Sequence, residues 1–206
     1  MDQKTVVIQP PKFRTVVFTI KGTAPYVQQR FWKKAEMMAT QQAGTQAKSR
    51  KNRVARNFER DFKEAMHLSS EGWAGIPAPS FRNAMISACK LVQYHMTKAK
   101  LAIFVEADGL DQDGMPIVRL YGTAEQHTGY ARNDNGSVDI RSRPMWREWT
   151  AKPRVRFDAD MFSETDVANL MHRVGQQVGL GEGRPDSKDS AGLGWGLFEI
   201  VTGEVA

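Results

Sequence analysis

The residues most able to do chemistry lie near the end of the chain, at 178–201. Six glycines fall there in two Gly-x-Gly-x-Gly clusters, Gly179, Gly181, Gly183 and Gly192, Gly194, Gly196, with Arg184 and Lys188 between them. Glycine at this density marks backbone at positive φ, or backbone that another molecule approaches closely. The two cations between the clusters suit an anionic visitor. The order of elements narrows the chemistry. A dinucleotide fingerprint or a P-loop runs from a strand through glycines into a helix, and a P-loop also needs Gly-Lys-Ser/Thr. Here a helical pattern precedes the glycines and a strand pattern follows, so no nucleotide cofactor is expected.

Other reactive side chains are sparse. The histidines are His67, His95, His127 and His172, and the single cysteine is Cys89. One cysteine rules out an intramolecular disulfide framework and a cysteine-cluster zinc site. His172 reads as a partly exposed helix residue. His95, next to Tyr94 and near Lys98, is a weak candidate for catalysis, as is His67. Asp108, Asp111 and Asp113 form an acidic turn, but Asp113-Gly114 is sufficient as a hairpin turn. The glutamate that a calcium loop carries at its twelfth position is missing, so no metal is expected.

The charge pattern points to a polyanion. Between residues 30 and 63 lie ten basic residues, Arg30, Lys33, Lys34, Lys48, Arg50, Lys51, Arg53, Arg56, Arg60 and Lys63, against three acidic ones. That surplus of seven exceeds the +6 of the whole chain. Such clustering is the electrostatic footprint of a phosphate-backbone binder, whereas a solvated helix face usually mixes signs. Arg82, Lys90, Lys98 and Lys100 add to it. A second group, Arg141, Arg143, Arg147, Lys152, Arg154 and Arg156, is interleaved with Trp146 and Trp149, the pairing expected for phosphate and base contact. The alternative for Trp146 and Trp149 is a place in the core. Trp32 and Trp73 read as packing residues, and Trp195, wedged between glycines, as the better stacking candidate.

These side chains need elements to hold them. Residues 12–21 read as a β-branched and aromatic strand broken by Gly22 to Pro25. A basic excursion follows at 26–70, read as two helices with a flexible middle. Ser80 is expected as N-cap of a helix whose apolar face runs Phe81, Met85, Ala88, Cys89, Val92, Met96. Strands are expected at 100–107, 116–121 and 152–158, with 130–138 as a polar loop. Ser163 to Asp166 is a capping-box start for a helix with a stripe of Val167, Leu170, Met171, Val174 and Val178. A last strand follows at 197–201. The order suits an α+β, ferredoxin-like (RRM-like) sandwich: a mostly antiparallel sheet, two core helices and a basic helical insertion. With 206 residues, 41% of them hydrophobic, one domain over 1–206 is expected. No apolar run of about 18 residues is present. The opening residues lack a secretory signal, so the expected setting is the cytoplasm.

Three landmarks, in this order, resemble the RAMP superfamily, which includes RNA-binding subunits of CRISPR effector complexes. The first is the opening strand and its turn at Gly22 to Pro25. The second, Gly75-Ile-Pro-Ala-Pro-Ser-Phe-Arg-Asn-Ala, is similar to the family's Ile-Pro-x-Ser-Ser-x-Lys/Arg-x-Ala segment. The third is the glycine region, similar to the family's Gly-x-Gly-x-x-Arg-Ser-x-Gly-x-Gly loop before the last strand, with Arg184 and Ser187 in comparable places. The loop is longer by Pro185 and Lys188-Asp189, and Pro79 stands where the family often has serine.

The resemblance implies a fold that holds single-stranded RNA, a guide above all, as a repeated non-catalytic subunit of a ribonucleoprotein in antiviral defence or a phage-encoded relative. It implies no cofactor, and partners that are RNA, further copies or other subunits. It also places the basic excursion on the RNA-gripping surface. Two alternatives stay open: a metal-independent guide-RNA-processing endoribonuclease using His95 or His67, and a phage protein that binds or anneals single-stranded DNA.

Overall fold

A computed structural model describes residues 9–30, 57–132, 138–187 and 192–205. Strand β1 (Phe13–Gly22) organises the large sheet. Its alternation is regular: Val16, Phe18 and Ile20 are buried, while Thr15, Val17 and Thr19 between them are half-buried on the other face. That period of two is the mark of a sheet with one face on a core. Strand β11 (Phe198–Val205) lies along one side of β1, with a register shift between Thr19 and Ile20. Along the other side run β10 (Arg154–Asp158) and, at the far end, β9 (Thr150–Ala151). Outside β10 is β4 (Ile103–Glu106), giving the order β11-β1-β10-β4. From β9 the sheet continues through β6 (Pro116–Tyr121) to β3 (Gly75–Pro77), with β5 (Gly109–Leu110) also on β6. Pairing with β1 at two ends curls the sheet. A second sheet has the order β2 (Tyr26–Val27), β8 (Val138–Trp146), β7 (Glu125–Arg132). All pairings among the described residues are antiparallel.

Among the described residues four helices accompany the sheets: α1 (Phe58–Glu64), α2 (Ala78–Ala88), α3 (Met96–Ala102) and α4 (Glu164–Arg173). Helix α2 lies in sequence between β1 and β4, and α4 between β10 and β11. Both pack on the inner face of the large sheet. Phe81, Met85, Val167 and Met171 meet Phe18, Ile20, Val155, Phe157 and Phe198 in one core cluster. The architecture is therefore α+β with a mostly antiparallel, curled sheet. The α4 start is the expected capping box: Ser163 Oγ accepts from the Asp166 amide at 3.1 Å, and Asp166 accepts from the Ser163 amide at 2.9 Å. The Ser163 hydroxyl, donating to Asp166 Oδ2 at 2.6 Å, and then the Ser163 amide hold the Asp166 carboxyl below its ordinary range.

Several expectations are corrected. Ser80 is not an N-cap, because α2 begins at Ala78 with Pro77 in the cap position. The helix does not run on to Met96: a 3-10 turn (Cys89–Val92) ends at Gln93, which takes a left-handed φ of 56°. Residues 100–102 belong to α3, so the strand starts at Ile103. Residues 130–132 and 138 are strand, in the β7–β8 hairpin, where a loop was expected. The excursion at 26–70 is described only at its ends, where β2 joins the second sheet and α1 packs against β8.

Candidate nucleic-acid interface

The glycine loop leaves α4 through a π-helical turn (Val174–Val178) and enters β11. Gly179, Gly181, Gly183, Gly192, Gly194 and Gly196 all have φ between 64° and 74°. L side chains rarely adopt that conformation, which explains the residue type at each position. Close approach explains two of them further. A Cβ on Gly196 would lie 1.8 Å from the Leu180 carbonyl oxygen, and one on Gly181 would lie 2.4 Å from that of Val27. Here the approaching backbone is the protein's own. The Glu182 amide donates to Val27 at 2.9 Å and the Gly196 amide to Pro25 at 2.8 Å, docking the loop on β2. Around Gly192 and Gly194, by contrast, a Cβ would meet no atom of the described residues within 4 Å.

Docking the loop on β2 leaves a polar cavity of about 360 Å³ between the loop, β2 and the start of α2. Arg184, Ser80, Asn83, Gln28, Tyr26 and His67 are among its walls. Arg184 is half-buried and donates through Nη1 to the Gly181 carbonyl at 2.8 Å, so its guanidinium is positioned with donors to spare. Gln28 is buried and fully engaged. Its Nε2 donates to the Gly75 carbonyl at 2.7 Å and to the Tyr26 hydroxyl at 3.2 Å, and its Oε1 accepts from the His67 amide at 2.9 Å. Burial pushes the Tyr26 phenol well above its ordinary value, so it stays neutral. Ser87 donates to Asp186, tying α2 to the loop.

Among the candidate residues, His67 has the most developed surroundings. Its Nδ1 lies 2.5 Å from Asp111 Oδ2, and the Asp111 side chain is fully buried. The other carboxylate oxygen accepts from the Asp113 and Met115 amides, each at 2.8 Å. Burial alone would raise the Asp111 carboxyl, but the bonds from His67 and these two amides together hold it below its ordinary value. Such a partner fixes the ring and its tautomer, and Nε2 is left with no hydrogen-bond partner among the described residues. The acidic turn thus serves as an anchor as well as a hairpin. Its Asp113 makes a bidentate pair with Arg30, at 2.6 and 3.0 Å, and is held below its ordinary value chiefly by that bond.

The remaining sequence candidates divide clearly. Lys33, Lys34, Lys48, Arg50, Lys51, Arg53 and Arg56 lie outside the described residues, as does Lys188. Arg30 is occupied by Asp113 and by the Glu64 carbonyl at 3.0 Å. Arg82 donates to the carbonyls of Ile103 and Lys100 and lies over the Phe104 ring. Arg143 is buried near Glu182 at 3.7 Å, while Arg147 is exposed and bonded to Glu125 at 2.9 Å. Arg141 is half-buried on β8.

Trp146 is a correction: it is 1% exposed and packs on Tyr26, with ring centroids 5.7 Å apart. A ring closed off in this way cannot stack on a base. Trp149 is likewise buried and donates Nε1 to the Ala24 carbonyl at 2.9 Å. Trp195 is half-buried, covering Gly183 and meeting His127 edge-on at 5.4 Å. Burial, then Arg143 and Arg147, lower the pKa of His127. His95 is exposed ahead of α3 and does not line the cavity.

No group of three or more metal-binding side chains is present among the described residues. No helix among them is long and apolar enough to cross a membrane. No protein-family model matches the chain, and no curated protein does.

Proposed function

We propose that this chain is a RAMP-type protein that holds single-stranded RNA by its phosphate backbone, without cleaving it, as a repeated subunit of a ribonucleoprotein. The observation that carries the reading is the glycine loop. It stands directly before the last strand, holds all six glycines at positive φ, and walls a polar cavity in which Arg184 has donors to spare. The strand order β11-β1-β10-β4, with α2 and α4 as the two crossovers, supports a ferredoxin-like core. The surplus of cations at 30–63 supports a polyanionic ligand. The test is anisotropy with a fluorescein-labelled twenty-nucleotide oligouridylate over a salt series. Arg184→Ala should weaken binding several-fold and flatten the slope of log K against log salt by about 1. Unchanged affinity and slope would remove the cavity from the site. The matching oligodeoxyuridylate should compete poorly, because 2′-hydroxyl contacts separate RNA from DNA. Equal competition would favour the single-stranded DNA reading.

A second reading, the metal-independent endoribonuclease, is favoured by one observation: the Asp111-held His67 at the cavity wall. In that chemistry His67 Nε2 takes the proton of a 2′-hydroxyl. The 2′-oxygen then attacks the adjacent phosphorus and expels the 5′-oxygen, which takes up a proton. A 2′,3′-cyclic phosphate remains.

A further inference from the structure

The large sheet has a second face, turned away from α2 and α4, whose side chains form a pattern unrelated to the glycine loop. Following the register, Thr15, Arg156 and Phe104 lie side by side on this face, with Phe13 diagonal to them. The Arg156 guanidinium sits over the Phe13 ring at 5.0 Å and over Phe104 at 5.3 Å. At the other end, Arg119 sits over Trp73 at 5.6 Å and over Tyr121 at 5.4 Å. Phe13 and Tyr121 are 41% and 44% exposed, so both clusters reach solvent.

Charge on this face is uneven. Glu106 and Asp108 are taken up by Arg154, at 3.4 and 2.6 Å, and Glu71 accepts from the Trp73 indole at 3.1 Å. Arg119, Arg156 and Lys152 have no carboxylate within salt-bridge distance among the described residues. A cavity of about 350 Å³ opens beside Arg119, Tyr121, Trp73 and Lys152. That volume is at the lower end of the roughly 300–1,000 Å³ range of small-ligand sites. Guanidinium planes laid on exposed aromatic rings, beside an uncompensated lysine, offer flat surfaces to bases and donors to phosphates. An acidic peptide would use the cations and leave the flat surfaces idle.

We propose that this open face is a second contact for single-stranded nucleic acid, separate from the glycine-loop cavity. A base occupies the cavity beside Arg119, Tyr121 and Trp73, and Lys152 and Arg156 meet phosphates along the strand. The choice of ligand rests on the proposed function; the site does not share its residues.

The experiment is anisotropy with the same oligouridylate, comparing wild type, the double variant Arg119→Gln with Tyr121→Ser, Arg156→Gln and Arg184→Ala. In parallel, wild type is photo-cross-linked to an oligonucleotide carrying 4-thiouridine, and the adducts are mapped by mass spectrometry. The double variant should lose about tenfold in affinity. Arg156→Gln should lose severalfold, and adducts should fall on the peptides containing Trp73 or Tyr121. Unchanged affinity in the two sheet variants, with adducts confined to 179–196, would overturn this inference and leave the glycine-loop cavity standing. Loss in the sheet variants with none in Arg184→Ala would do the opposite. The wild-type cross-link does not depend on how any variant folds, so absence of sheet-face adducts from a bound complex counts against the proposal on its own.

Discussion

The His67–Asp111 pair shows how much one residue depends on partners far along the chain. Asp111 is fully buried, and its three acceptor bonds leave it ionised at neutral pH. Because its pKa is depressed in the fold, its contribution to stability is present above the unfolded carboxylate value near pH 4 and is lost as pH falls through the folded value. The pair therefore stays intact across the neutral range. Under the endoribonuclease reading, repeat RNA incubated without metal is cut to a cyclic-phosphate end, and His67→Ala lowers that rate at least 100-fold. Intact RNA with wild type leaves the histidine as an anchor between Gln28 and the acidic turn. Little of this was legible in the sequence. His67 and Asp111 are 44 positions apart, and neither sits in a recognisable spacing. Trp146 misled for a related reason: its neighbours Arg143 and Arg147 suggest a surface, but its packing partner, Tyr26, is distant in sequence.

Among the elements, those defined by local chemistry were the legible ones. The capping box at Ser163 and Asp166 needs only four residues, and the stripe from Val167 to Val178 needs only helical spacing, so both stand where expected. The β7–β8 hairpin was hidden because its strands are polar, with Tyr130, Val138 and Ile140 exposed, and carry no clean alternation. The break after α2 was hidden because Gln93 takes a left-handed conformation that its type does not announce.

The glycine loop is intermediate. Positive φ was readable from composition, but its packing on β2 was not, since that depends on Val27 and Pro25. Gly196→Ala tests how closely the loop folds on itself at Leu180. Strain at φ 71° and the collision with Leu180 should cost at least about 2 kcal/mol, seen as a lower urea midpoint at unchanged m. Gly194→Ala has the same φ penalty and no collision, so it should cost about 1 kcal/mol. Equal losses at both positions would mean that the close approach of Leu180 is not what demands Gly196.

For the whole molecule, the large sheet sets two surfaces against each other. Its inner face is sealed by α2 and α4, whose ends lead into the glycine loop and the polar cavity. Its outer face carries stacked arginines and exposed rings. The charge surplus at 30–63, which sequence alone revealed, adds a third source of attraction for a polyanion. All three favour a strand of nucleic acid held by backbone and by stacking, with no demand for a particular sequence. The most direct measurement of that claim is to extract the nucleic acid that co-purifies with the full chain from a nuclease-free preparation. Digestion and sequencing then identify it. The expected result is single-stranded RNA that is degraded by ribonuclease A and resists deoxyribonuclease. A preparation free of nucleic acid that also fails to bind added oligouridylate, or one holding only DNA, would contradict it.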